Sequence, residues 1–101
     1  MSGEPGLKTV HLRIHGRVQG VGYRAWTAQK ARKLGLSGWV RNVTDGTVES
    51  VVQGPQDAVD AMIAACQAGP TLARVTHVES EEGNDAETYS GFQQLPTVDA
   101  D

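Results

Sequence analysis

Cysteine is almost absent from this chain: Cys66 is the single one among 101 residues, which excludes an internal disulfide and a four-cysteine zinc site. It follows Ala64-Ala65, where a thiol reads as a small buried apolar group of a helix, and a reducing compartment fits that use. Positive charge is also short. Nine Lys and Arg stand against twelve Asp and Glu, a net charge of -3, so no broad positive field is available to hold nucleic acid or an anionic membrane face. Aromatic residues make up 5% of the chain, with no run such as Lys-Gly-Phe-Gly-Phe on which bases could stack, and this weighs against an RNA-binding sandwich. No window approaches the roughly 18 apolar residues of a membrane span. Residues Met1-Ser2-Gly3-Glu4-Pro5-Gly6 hold no apolar core of a signal peptide. The expectation is a soluble, cytoplasmic protein. His11, His15 and His77 have no metal-like spacing and no Asp/Glu cluster suits Mg²⁺, so neither metal nor cofactor is expected.

What is present is a glycine-arginine loop. Residues 15–24 read His15-Gly16-Arg17-Val18-Gln19-Gly20-Val21-Gly22-Tyr23-Arg24, three glycines and two arginines in ten positions. Glycines let successive backbone N–H groups turn toward one oxyanion, the helix that starts near Gly22 adds the positive end of its dipole, and an arginine fork matches phosphate oxygens. The bland reading is a tight turn. Any anion has to be gripped locally, because the net charge offers no help.

The order of elements follows from periodicity. Val10, Leu12 and Ile14 alternate with His11, Arg13 and His15, the period of a half-buried strand. Residues 22–34 carry Ala25, Ala28, Ala31 and Leu34 on a helical face, with Lys30, Arg32 and Lys33 near the end and Gly35 as the stop. Two β-prone runs, 38–43 and 47–53, flank Asp45-Gly46, a pair suited to a type I′ hairpin turn. Pro55 suits a first helical position, and Val59, Met62, Ile63 and Cys66 share one face of the second helix before Gly69-Pro70. Residues 74–80 read as a fourth strand and 89–95 as a short fifth.

The sum is an α+β chain, βαββαβ with an extra strand: a ferredoxin-like α/β sandwich with a mostly antiparallel sheet of four to five strands and two helices on one face. At 101 residues it makes a single domain. We divide it into a flexible N-terminus (1–7), a domain (8–95) and a flexible acidic tail (96–101). A right-handed crossover through the first helix leaves strands one and two parallel, with their C-terminal ends on one edge. Asn42, near the end of strand two, then becomes a partner for the loop.

Gly20-Val21-Gly22-Tyr23-Arg24-Ala25 formally matches the dinucleotide fingerprint G-x-G-x-x-A. Such domains continue through further parallel crossovers, whereas this chain turns back at Asp45-Gly46. A Walker A loop fails because no Gly-Lys-Ser/Thr follows. Trp39 reads as packing, and whether the Arg17 side chain assists an anion or is solvated stays open.

Gly16-Arg17-Val18-Gln19-Gly20-Val21-Gly22-Tyr23-Arg24, followed by Gly38-Trp39-Val40-Arg41-Asn42 and Asp45-Gly46-Thr47-Val48-Glu49, resembles the two signature segments of the acylphosphatase family, over about residues 8–95. Tyr23 stands where the family often has phenylalanine, and the C-terminal segment departs from the aromatic final strand of many members. The resemblance implies hydrolysis of small acyl phosphates to a carboxylate and inorganic phosphate, by a cytoplasmic monomer needing neither metal nor covalent intermediate. It implies that Arg24 binds the phosphoryl group together with the loop Gly16, Arg17, Val18, Gln19, Gly20, Val21 and Gly22. It also implies that Asn42 holds the attacking water, with Thr44 as a candidate support. Two alternatives remain: a non-catalytic anion-binding module, against which Asn42 speaks, and an accessory domain of a larger maturation protein, disfavoured by a chain built around one domain.

Overall fold

The computed structural model describes residues 7–101, and the N-terminal segment expected over 1–7 therefore lies, except for Leu7, outside the described residues. The elements run β1 (Lys8–Arg17), α1 (Tyr23–Lys33), β2 (Ser37–Asn42), β3 (Val48–Gly54), α2 (Gln56–Ala68), β4 (Arg74–Glu82) and β5 (Phe92–Gln94). The five strands form one sheet in the order β4-β1-β3-β2-β5. β3 is central, and all seven of its residues are buried. β1 and β2 each pair antiparallel with β3, so they are parallel to each other and end on the same edge, as the crossover rule requires. β5 adds to β2 in parallel.

The two-residue period of β1 sends Val10, Leu12 and Ile14 into the core and leaves His11, Arg13 and His15 on the opposite face. α1 contributes mostly small groups, Ala28 and Ala31 beside Thr27 and Tyr23, and α2 contributes Val59, Met62 and Cys66. Each fully buried Val, Leu, Ile or Met of this set stabilises the fold by about 1.5–3 kcal/mol relative to exposure, and the alanines by less. The Tyr23 ring is buried, and its hydroxyl donates to the Cys66 carbonyl at 2.7 Å, tying α1 to α2. Burial pushes the Cys66 thiol up to about 11, the Tyr23 contact opposing this only in part. It is an inert core group.

The uncovered face of the sheet is polar and centred on Glu49. His11 Nε2 lies 2.5 Å from its carboxylate, Arg41 Nε donates at 2.8 Å, and the Arg41 guanidinium stacks 4.5 Å over Trp39. Trp39 is thus packed on this face, as its sequence context suggested.

Several boundaries differ from the sequence reading. Pro55 is the N-cap of α2 rather than its first residue. β4 extends to Glu82, and β5 shrinks to three residues. The hairpin is not type I′, because Asp45 has no positive φ. Gly46 alone takes φ 96°, Gly46 N–H donates to Val43 O and Val43 N–H to Thr47 O, the pattern of a three-residue loop ending in a left-handed glycine. The Asp45 carboxylate accepts from the Thr47 amide and hydroxyl, which stabilises the longer loop. Residues 96–101, expected as a loose acidic tail, are hydrogen-bonded here: Val98 N–H donates to Asn42 O and Val98 O accepts from Thr44 N–H, a parallel bridge with Val43.

Gly16 sits where β1 bulges against β4, at φ 121°, and a Cβ there would overlap the Arg74 carbonyl oxygen. Gly16→Ala is expected to cost about 2–4 kcal/mol in urea unfolding, since the obstacle is backbone; a change below about 0.5 kcal/mol would refute this. Glu49 yields a pH prediction. Burial pushes its carboxyl up, but the bonds from His11 and Arg41 outweigh this and hold it below its ordinary 4.5. Its contribution is therefore present above that value and lost as pH falls through the lower folded-state value. Unfolding free energy should decline below about pH 4.5, and Glu49→Gln should flatten that decline.

Candidate active site

Residues 18–22 leave the end of β1 and enter α1, held from both sides. Val18 is buried in the core, fixing the start of the loop. Gly20 and Gly22 take φ 74° and 77° with open space where a Cβ would be, so backbone direction rather than crowding calls for glycine there. Gly22 is also the N-cap of α1, whose first turn holds no acidic residue while its last turn holds Lys30, Arg32 and Lys33. The positive end of the helix dipole is left uncompensated beside the loop.

Gln19 fastens the loop to the neighbouring hairpin. Its side-chain amide donates to the carbonyls of Val43 and Thr47, each at 2.8 Å, the residues that close the β2–β3 turn immediately after Asn42. In this way the end of β1 and the end of β2 are locked to one another. Sequence reading placed Gln19 in the loop but did not find this clamp, because its acceptors are backbone groups with no residue signature.

The site is a cleft of about 180 Å³ lined by Val18, Gln19, Gly20, Gly22, Tyr23, Arg24, Ala25, Asn42 and Gln94. Arg24 and Asn42 are thereby brought together across a sequence gap. Arg24 Nη1 lies 3.5 Å from the Leu95 carbonyl, a long contact that steadies the side chain and leaves most of its donors free. Asn42 is the last residue of β2, paired with Val48, and its main-chain carbonyl accepts from Val98. The lining carries one formal charge, that of Arg24, and no carboxylate, histidine or lysine. An anion would meet cationic and amide donors only, within a chain that is acidic as a whole.

Not every expected residue reaches the cleft. Gly16 and Arg17 belong to β1 and pair with Val75 and Arg74 of β4, and Val21 packs toward the core. The Thr44 hydroxyl accepts from Ala100 N–H at 2.9 Å, so Thr44 supports the chain terminus directly and Asn42 only through their shared neighbour Val98. Gln94 was not anticipated. Its signal is faint, a three-residue strand whose register opposite Val40 sequence periodicity does not disclose.

The acylphosphatase family model matches residues 10–94. An acylphosphatase of Azorhizobium caulinodans is 52% identical over 90 residues, covering 89% of this chain and 97% of the relative. Among solved structures, an acylphosphatase from Coxiella burnetii superposes with a TM-score of 0.85 at 36% identity, covering 89% of this chain and 94% of that one. One from Bacillus subtilis gives 0.84 at 34%, covering 88% and 98%.

Gln19→Ala removes two side-chain hydrogen bonds while the Val43 and Thr47 carbonyls keep their turn bonds from Gly46 and Val43, and is expected to lower stability by about 1–2 kcal/mol in urea unfolding. It should also weaken binding of inorganic phosphate in calorimetry. An unchanged unfolding midpoint with unchanged phosphate affinity would show that the clamp contributes nothing.

Proposed function

Since the chain belongs to the acylphosphatase family and hydrolyses acyl phosphates to a carboxylate and inorganic phosphate, we propose that Arg24 and the cleft-lining part of the loop, residues 18–22, bind the phosphoryl group while Asn42 positions the attacking water. The observation that carries this reading is the shared cleft: loop, arginine and asparagine line one cavity. The working unit is the domain 8–95, acting as a cytoplasmic monomer. The buried free thiol of Cys66 fits a reducing compartment. No helix among the described residues is long and apolar enough to cross a membrane.

Backbone N–H groups at the start of α1 and the Arg24 fork hold the equatorial phosphoryl oxygens, where negative charge is greatest. The Asn42 amide carries both a donor and an acceptor, sufficient to orient a water in line with the bond to be broken. The water oxygen bonds to phosphorus, the bond from phosphorus to the acyl oxygen breaks, and its electron pair leaves with the carboxylate. Both water protons go with the phosphate, which releases one to solvent at neutral pH. A carboxylic acid has a pKa of roughly 4, so the leaving group departs without protonation. A loose transition state asks little of the nucleophile. The absence of a carboxylate, histidine or lysine from the lining therefore suits an anhydride and not an alkyl ester, whose alkoxide would need an acid. The reaction needs neither a covalent intermediate nor a metal ion.

An anion-binding module would need only the loop and Arg24, whereas hydrolysis also uses Asn42. With an aryl acyl phosphate and a chelator present, Asn42→Ala is expected to lose about 10²-fold or more in turnover while it folds and binds phosphate. Arg24→Ala should lose phosphate binding as well. Near-normal turnover in either variant overturns the assignment.

A further inference from the structure

His15 and His77 are 62 residues apart in the chain, and the antiparallel pairing of β1 with β4 makes them direct cross-strand partners. Their rings stack with centroids 4.1 Å apart and planes inclined by 10°. Glu79, two residues along β4 on the same face, brings a carboxylate oxygen to 2.7 Å from His15 Nε2. One nitrogen from each ring and one Glu79 oxygen all lie within 4.8 Å of one another. This trio lies on the uncovered face of the sheet, away from the cleft at the end of β1, and acyl phosphate hydrolysis makes no use of it.

Two nitrogens and a carboxylate oxygen form the donor set of zinc sites with three protein ligands. Ligands held about 2.1 Å from a tetrahedral ion stand roughly 3.4 Å apart. With all three atoms inside 4.8 Å of one another, no pair has to close by more than about 1.4 Å, while the His15–Glu79 pair at 2.7 Å opens by about 0.7 Å and the stacked rings turn so that their nitrogens converge, which exposed side chains achieve by rotation about χ1 and χ2. His77 Nδ1 lies 3.5 Å from Thr76 Oγ1, too long a contact to hold the ring against rotation. The surrounding cleft, about 240 Å³, is lined also by His11, Arg13 and Glu81. The cation among these is directed elsewhere: Arg13 Nη1 contacts Thr47 Oγ1 at 3.2 Å and Asp45 at 3.5 Å. His11 is engaged by Glu49, and Glu81 adds negative charge.

We propose that His15, His77 and Glu79 form a surface site for a divalent transition ion of the zinc type, with water completing its coordination. The ion pins the edge strand β4 to β1 one residue before the bulge that leads into the phosphate loop. It binds the folded chain only, so it stabilises the fold by mass action and takes no part in hydrolysis.

The test is calorimetric titration of the full chain with ZnCl₂ in phosphate-free buffer at pH 7.5, with thermal unfolding in parallel. One saturable site is expected, together with a Zn²⁺-dependent rise in the unfolding midpoint. His15→Ala and His77→Ala should each weaken binding at least 10-fold, Glu79→Gln should weaken it measurably, and His11→Ala should leave it intact. Co²⁺ should give a visible absorption band that His77→Ala removes. His77→Ala should also fold normally by circular dichroism and keep full acyl phosphate turnover in chelator. Absence of saturable binding, binding unaffected by His77→Ala, or equal loss in His11→Ala overturns the site.

Discussion

The parallel disposition of β1 and β2 on either side of β3 is the constraint on which the rest depends. Because both strands pair antiparallel with the same buried neighbour, their C-terminal ends must emerge on one edge. The glycine-rich loop of residues 18–22 leaves one of those ends, and Asn42 closes the other. Topology brings them near, but nearness within a sheet edge is still several ångströms of freedom. The Gln19 amide removes that freedom by bonding the carbonyls of Val43 and Thr47, and Val18 removes it from below by entering the core. Positioning by fixed contacts matters for the mechanism proposed above, in which placed donors do the work, since a small misplacement there weakens every donor at once.

Charge is divided between the two ends of this scaffold. The carboxylates of Glu49, Asp45 and Glu79 are satisfied on the uncovered sheet face by arginine, histidine and threonine, while the cleft keeps an unopposed arginine and the start of α1. A chain with net charge -3 thus holds a locally positive site without a positive surface. Selectivity for a small anion follows from this arrangement more than from any long-range field.

Much of this was legible in the sequence, for identifiable reasons. The alternation around Leu12 and Ile14, the alanine-spaced helix after Gly22 and the break at Asp45-Gly46 are local patterns, and each specified its element. Arg24 and Asn42 could be paired because the crossover rule converts an order of elements into a shared edge. What stayed hidden were contacts between side chains and distant backbone carbonyls: Gln19 with Val43 and Thr47, Arg24 with Leu95, Tyr23 with Cys66. A carbonyl oxygen is present at every residue and so leaves no trace in composition. The bulge at Gly16 and the stacking of His15 on His77 were hidden likewise, since strand register is set across the sheet and spacing along the chain does not encode it.

The strand order places β4 at an outer margin, with one side of its backbone unpaired along nine residues. Such a margin is an invitation to another extended chain, which could continue the sheet through main-chain bonds alone. Here the strand presents His77, Glu79, Glu81 and Glu82 to solvent, so an incoming strand would have to draw like charges together and strip their water. The same acidic flank that offers ligands to an ion therefore guards a small sheet against growing into a fibre.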